Sequence, residues 1–227
     1  MGLHLVIGNK NYSSWSMRPW MALKVAKVPF DETVIPIYRA DSKEKLLAHS
    51  PAGRVPILID GDVLVWESLA ILEYLAETFP DAALWPKAPA ARAHARAIAN
   101  EMHAGFLPLR RHFPMNVWRP VERRALTPEA AANAKRIDAM WSDCRARFGQ
   151  GGPFLFGPFS AADAMYAPVV SRFKTYAVDV GPVARAYMDA VMALPAWKEW
   201  VAGALAEPWV IEDFEVDWPQ VRKVTLP

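Results

Sequence analysis

The sequence is short of cysteine. Of its 227 residues only Cys144 is one, so no disulfide can close within the chain and no CxxC redox pair exists. That fits a reducing compartment. Long apolar runs are also missing: nothing approaches the roughly 20 residues that span a bilayer. The amino terminus lacks a charged start followed by an apolar run, so no signal peptide is expected. The net charge is only +2, too small to mark a nucleic-acid partner. The basic pairs Arg110-Arg111 and Arg123-Arg124 read as solvated helix faces. His103 and His112 have no other His, Cys or carboxylate at metal-ligand spacing, so no metal is expected. There are no internal repeats and no low-complexity tracts. These absences point to a soluble cytoplasmic protein with neither nucleic acid nor membrane as partner.

What is present is apolar residue content, 53% of the chain, and two kinds of periodicity. The length suits one large or two small domains at about 100–200 residues each. Residues 3–7 read as a strand and residues 8–14 as a polar loop. A helix opens between Ser14 and Ser16 and runs to Val25, with Pro19 in its first turn. Residues 33–37 form a second strand, where Pro36 marks an edge or bulge. Residues 43–49 form a short helix. Residues 55–59 and 63–65 are paired strands around the Asp60-Gly61 turn, and Glu67-Ser68 opens a helix carrying Leu69, Leu72 and Leu75. A βαβ half needs a parallel pair with a crossover; the hairpin adds antiparallel strands. The expectation is a mixed four-stranded sheet with helices over residues 1–79.

Residues 80–89 hold three prolines and read as a linker. Residues 90–227 show no strand signal, so an all-α, helical-bundle domain is expected. Its helices are placed at 91–107, from Thr127-Pro128 to about Phe148, after the Ser160-Ala161-Ala162-Asp163 capping box, and at 183–192 and 197–206. Trp209, Phe214 and Trp218 are expected to pack back on the body.

Two features suggest ligand chemistry. Pro56 heads a strand, where a cis Val55-Pro56 bond would turn the Val55 N–H and C=O toward an extended peptide. Glu67 and Ser68 stand at a helix start, which offers free N–H groups and a positive dipole end. A ligand carrying a carboxylate and an ammonium finds a partner for each there. Taken singly, Pro56 is also explained as a strand-start proline and Ser68 as a cap.

Together, at this spacing, they resemble the glutathione-binding half of a glutathione S-transferase, a family with a thioredoxin-like first domain and an all-helical second one. The Ser160-to-Asp163 box resembles a helix cap of the same family. The loop Asn11-Tyr12-Ser13-Ser14-Trp15-Ser16-Met17-Arg18 is similar to the S-S-C-S-W-R signature of the zeta class, with Trp15 in place of its cysteine. The resemblance implies glutathione as co-substrate, held by Val55, Pro56, Glu67 and Ser68, with Arg54, Lys43 or His49 near the glycyl carboxylate. It implies that the Ser13 hydroxyl contacts the sulfur; theta-class spacing selects Ser14 instead, and Tyr12 is a third candidate. The helix start behind the loop would favour the thiolate. The second substrate, a small hydrophobic electrophile, is expected against residues 102–118, with Phe106, Arg110, Phe113, Met115 and Trp118 as the wall. The resemblance also implies a homodimer. A non-catalytic binding or scaffolding protein of the same fold is the alternative from another class, and Trp15, which departs from the zeta signature, leaves zeta-class isomerisation of maleylacetoacetate as the second alternative.

Overall fold

In the computed structural model, which describes residues 2–216, β1 (Leu3–Ile7) is an inner strand of a four-stranded sheet. It pairs in parallel with β2 (Phe30–Val34) and antiparallel with β3 (Ile57–Asp60), which carries β4 (Val63–Trp66) at the far edge. The order is β2-β1-β3-β4. The β1–β2 crossover is α1 (Ser14–Val25); α2 (Ser42–Leu47) precedes β3, and α3 (Ser68–Thr78) follows β4. Gly61 turns the hairpin with φ of 57°, the left-handed region that glycine enters without a Cβ penalty. This is the thioredoxin-like arrangement the sequence pattern implies.

Helices make up the rest: α4 (Pro89–Ala104), α5 (Leu107–His112), α6 (Pro128–Phe148), α7 (Ala161–Thr175), α8 (Pro182–Ala193) and α9 (Pro195–Ala206). Among the described residues the only β pairing after β4 is one isolated bridge, Phe154 with Gly157. α7 is buried on every face and packs on α1, α4 and α8. One apolar cluster runs through both halves, from Leu5 and Met17 to Trp141 and Trp200. Trp20 illustrates the join. Its ring is fully buried edge-on to Trp200 at 5.1 Å, and burying such a side chain stabilises by about 1.5–3 kcal/mol. Its Nε1–H finds a Glu32 carboxylate.

The structure corrects several boundaries. β2 begins at Phe30 rather than residue 33, because register with β1, Leu3 opposite Phe30, sets its start. Pro36 therefore falls outside it. α1 opens at Ser14, so Pro19 lies inside the helix, past the first turn. α4 stops at Gly105, and Phe106 takes a left-handed φ of 59° before α5 begins; the helix placed at 91–107 is thus broken. Trp218 and the end of the range 90–227 lie outside the described residues.

Candidate active site

Ser13 is the N-cap of α1. Its Oγ accepts the Ser16 N–H at 3.4 Å and lies 2.7 Å from the Ser16 Oγ. Ser16 Oγ in turn accepts the Gly8 N–H at 3.0 Å. Ser16 is fully buried, and Ser13 and Ser14 are nearly so. Either hydroxyl can donate in the Ser13–Ser16 bond; where Ser16 donates, the Ser13 proton is left for a ligand, and a chain of such bonds polarises each member. The α1 N-terminus adds unpaired N–H groups and its dipole.

Ser13 and Ser14 line a cavity of about 600 Å³ between the sheet side and the helical side. Six cations stand around it: Arg39, Lys43, Arg54, Arg110, Arg111 and Arg172. No Asp or Glu is among the lining residues. Arg172 is buried; its Nε donates to the Phe113 carbonyl at 2.7 Å and its Nη1 to the Pro168 carbonyl at 3.2 Å. Burial and nearby Arg110 bring its pKa down to about 10. Burial also lowers Arg110, whose guanidinium lies 4.4 Å from the centre of the Trp15 ring. Among the described residues neither arginine has a carboxylate partner. A cavity of this charge favours anions.

A smaller cavity, about 150 Å³, adjoins the start of α3 and is lined by Trp15, Arg54, Val55, Pro56, Trp66 and Glu67 among others. The Val55–Pro56 peptide is cis. Glu67 holds φ of 70°, a conformation that costs a non-glycine residue about 1–3 kcal/mol and that clusters at ligand sites. Its carboxylate approaches His103 Nε2 at 3.8 Å. Ser68 is fully buried and accepts from Arg18 at 3.3 Å. Arg18 is itself buried beneath Trp15, 4.1 Å from that ring, with its Nε unpartnered. Burial, then Arg110 and Arg172, push its pKa well down. Positive charge here is in excess, and a carboxylate near Ser68 would relieve it.

The expected residues therefore separate into groups. Ser13, Ser14, Lys43, Arg54, Val55 and Arg110 meet at the larger cavity; Pro56 and Glu67 meet at the smaller one. His49 instead turns edge-on to His4, with ring centres 6.1 Å apart. Phe106, Phe113, Met115 and Trp118 do not form the wall. The break at Phe106 ends the α4 periodicity; Phe113 stacks on Tyr176 at 4.3 Å and Met115 is fully buried. Trp118 is buried too, donating to the Ala204 carbonyl at 2.6 Å. Leu107, Arg110 and Arg111 of α5 take their place at the cavity, so the pair 110–111 is not simply a solvated face.

The Tyr12 hydroxyl is committed elsewhere: it donates to Glu215 at 2.5 Å, and burial together with that carboxylate pushes its pKa up. It is poorly placed to activate a thiol. Sequence reasoning missed Ser16, Arg172, Arg111, Arg39 and Tyr38 as site residues. Ser16 had a local signal, its place three residues after Ser13. Arg172 had none, since only the packing of α7 brings it near the loop. Among the described residues no group of three or more His, Cys, Asp or Glu could hold a metal ion, and no helix is long and apolar enough to cross a membrane.

Known proteins share this plan. Residues 12–78 match the glutathione S-transferase N-terminal domain, and residues 127–203 the C-terminal domain of the same family. Maleylacetoacetate isomerase of Rattus norvegicus is 31% identical over 177 residues, 74% of this chain and 77% of that protein. A probable maleylacetoacetate isomerase of Caenorhabditis elegans is 44% identical over 98 residues, but the match spans only 43% of this chain and 45% of that protein. The holo structure of maleyl pyruvate isomerase, a bacterial zeta-class glutathione S-transferase, superposes with a TM-score of 0.64 at 25% identity, covering 90% of this chain and 98% of its own. With both domain models matched in order, and a relative this similar over three quarters of its length, the chain belongs to the glutathione S-transferase family.

Proposed function

We propose that this protein binds glutathione and holds its sulfur as a thiolate at Ser13, for attack on a small electrophile that bears a carboxylate. The observation that carries the reading is the Ser13–Ser16–Gly8 chain of hydrogen bonds at the start of α1, opening on a cavity lined by six cations and no acid. Glu67 and the buried Arg18–Ser68 pair suit the ammonium and carboxylate of a γ-glutamyl group. Val55 suits the peptide backbone, and Arg54 or Lys43 the glycyl carboxylate. The thiol proton leaves to water through the cavity mouth. A free thiol has a pKa of about 8.5, and each unit of lowering needs about 1.4 kcal/mol.

The cation count favours an acidic electrophile over the hydrophobic one expected from sequence. Arg110 and Arg172 are its carboxylate partners, on the helical side of the cavity. Relatives named as maleyl-group isomerases fit that class. Ser13→Ala should raise the bound thiol pKa by about one unit without abolishing binding. The thiolate's ultraviolet absorbance, titrated against pH, reads this; a titration that moves with Ser14→Ala instead reassigns the hydroxyl. An acidic electrophile should react at least about tenfold faster, in kcat/KM, than its methyl ester, and Arg110→Ala should erase the gap. Equal rates for acid and ester count against the anionic subsite. The homodimer belongs to this reading and is checked by light-scattering mass.

A further inference from the structure

We propose that Glu207, on the helical side, is a positioning residue for the Ser13 hydroxyl. The inference rests on the assignment of Ser13 to the sulfur. Glu207 is the C-cap just beyond α9, and only 7% of its surface is exposed. Its two carboxylate oxygens receive two consecutive loop amides, Lys10 N–H at 2.6 Å and Asn11 N–H at 3.0 Å. A carboxylate buried this way is costly without such donors. Here it fixes the direction of the chain at the point where it turns toward Ser13.

The turn beyond is tight. Asn9 C=O accepts both Tyr12 N–H at 3.2 Å and Ser13 N–H at 2.8 Å. Asn11 Oδ1 accepts the Trp118 N–H at 2.9 Å, and the Trp118 indole donates to Ala204 at 2.6 Å, one turn before Glu207. The loop, Trp118 and the end of α9 thus close a ring of hydrogen bonds. The Lys10 ammonium pairs with Glu32 at 2.7 Å, while its backbone N–H donates to Glu207. These bonds orient the backbone at Lys10 and Asn11 from the helical domain and its edge. The hydroxyl that meets the sulfur is therefore aimed across the domain boundary.

The sign of one measurement separates aiming from simple charge. A carboxylate near a thiolate raises the thiol pKa, so removing it for charge alone would lower that pKa. If Glu207 acts by aiming Ser13, Glu207→Ala should raise the bound thiol pKa, by up to about one unit. In a Ser13→Ala background the same substitution should add nothing, because the group it aims is gone. Glu207→Gln keeps one acceptor oxygen and should give a smaller rise; it also serves if Glu207→Ala does not fold. The readout is thiolate absorbance against pH with glutathione bound, on full-length protein. A fall, no change, or an equal shift in the Ser13→Ala background overturns the proposal while leaving the serine reading intact. If Ser13→Ala alone leaves the titration unmoved, the serine reading fails, and the route through which Glu207 acts fails with it.

Discussion

Two helix starts in this molecule carry nearly the same local pattern and end in different chemistry. α1 is capped by Ser13 with Ser16 three residues on; α7 is capped by Ser160 with Asp163 three residues on. At α7 the box is closed. Asp163 is fully buried and accepts the Leu155 N–H at 3.0 Å and both the N–H and hydroxyl of Ser160 at 2.8 Å. At α1 the third residue is another hydroxyl. It shares one hydrogen bond with the Ser13 hydroxyl and accepts the Gly8 N–H, where Asp163 accepts three donors, and Ser13 lines a cavity. A carboxylate at the third position makes a structural cap. A hydroxyl there can take either role toward the capping residue, so Ser13 can donate outward when Ser16 is the donor between them.

The widest gap between the two starts should appear in stability. Asp163→Ala leaves three buried donors without an acceptor and should cost about 3–5 kcal/mol in denaturant unfolding, whereas Ser13→Ala should cost about 1 kcal/mol, an ordinary cap loss. Similar losses at the two sites would erase the contrast.

Next in size is a pH effect confined to α7. Burial raises the Asp163 pKa to about 6, against about 4 when unfolded. The native state then holds a proton that the unfolded state has lost. This contribution is present below about pH 4 and is lost as pH rises to about 6, by roughly 3 kcal/mol. Unfolding free energies measured from pH 4 to 7 should carry that slope, and Asp163→Asn should flatten it. An unchanged slope in that variant means the carboxylate titrates normally.

The smallest effect sharpens the α1 side. Ser16→Ala removes the hydroxyl that bonds Ser13 and should raise the bound thiol pKa by about half a unit, less than Ser13→Ala does. A larger shift at Ser16 would make Ser16 the hydroxyl nearer the sulfur.

Much of the fold was legible because its causes are local. The alternation in residues 3–7, the Asp60-Gly61 turn, Pro128 after Thr127 and the Ser160-to-Asp163 box each act within a few residues. β2 shifted because a strand's start depends on its neighbour's register, which local sequence does not contain. The wall of the site failed for a related reason. Phe113 and Met115 have the composition of a pocket, but the left-handed Phe106 redirects the chain beyond it, and both side chains went to the core.

The sequence by itself determined the order of elements, the capped helix starts, and a serine-bearing loop between the first strand and first helix. Tertiary structure alone joined the loop to the end of β1, since the Gly8 amide reaches the Ser16 hydroxyl only in the folded chain. It also decided the charge of the cavity, because Arg172 from α7 and Arg54 from the sheet side meet only when the halves pack. Glu207 reaches Lys10 and Asn11 by the same packing. Caps and turns are set by hydrogen bonds within one turn of chain; a site made from distant segments exists only once burial has brought their polar groups together and left some of them without a partner.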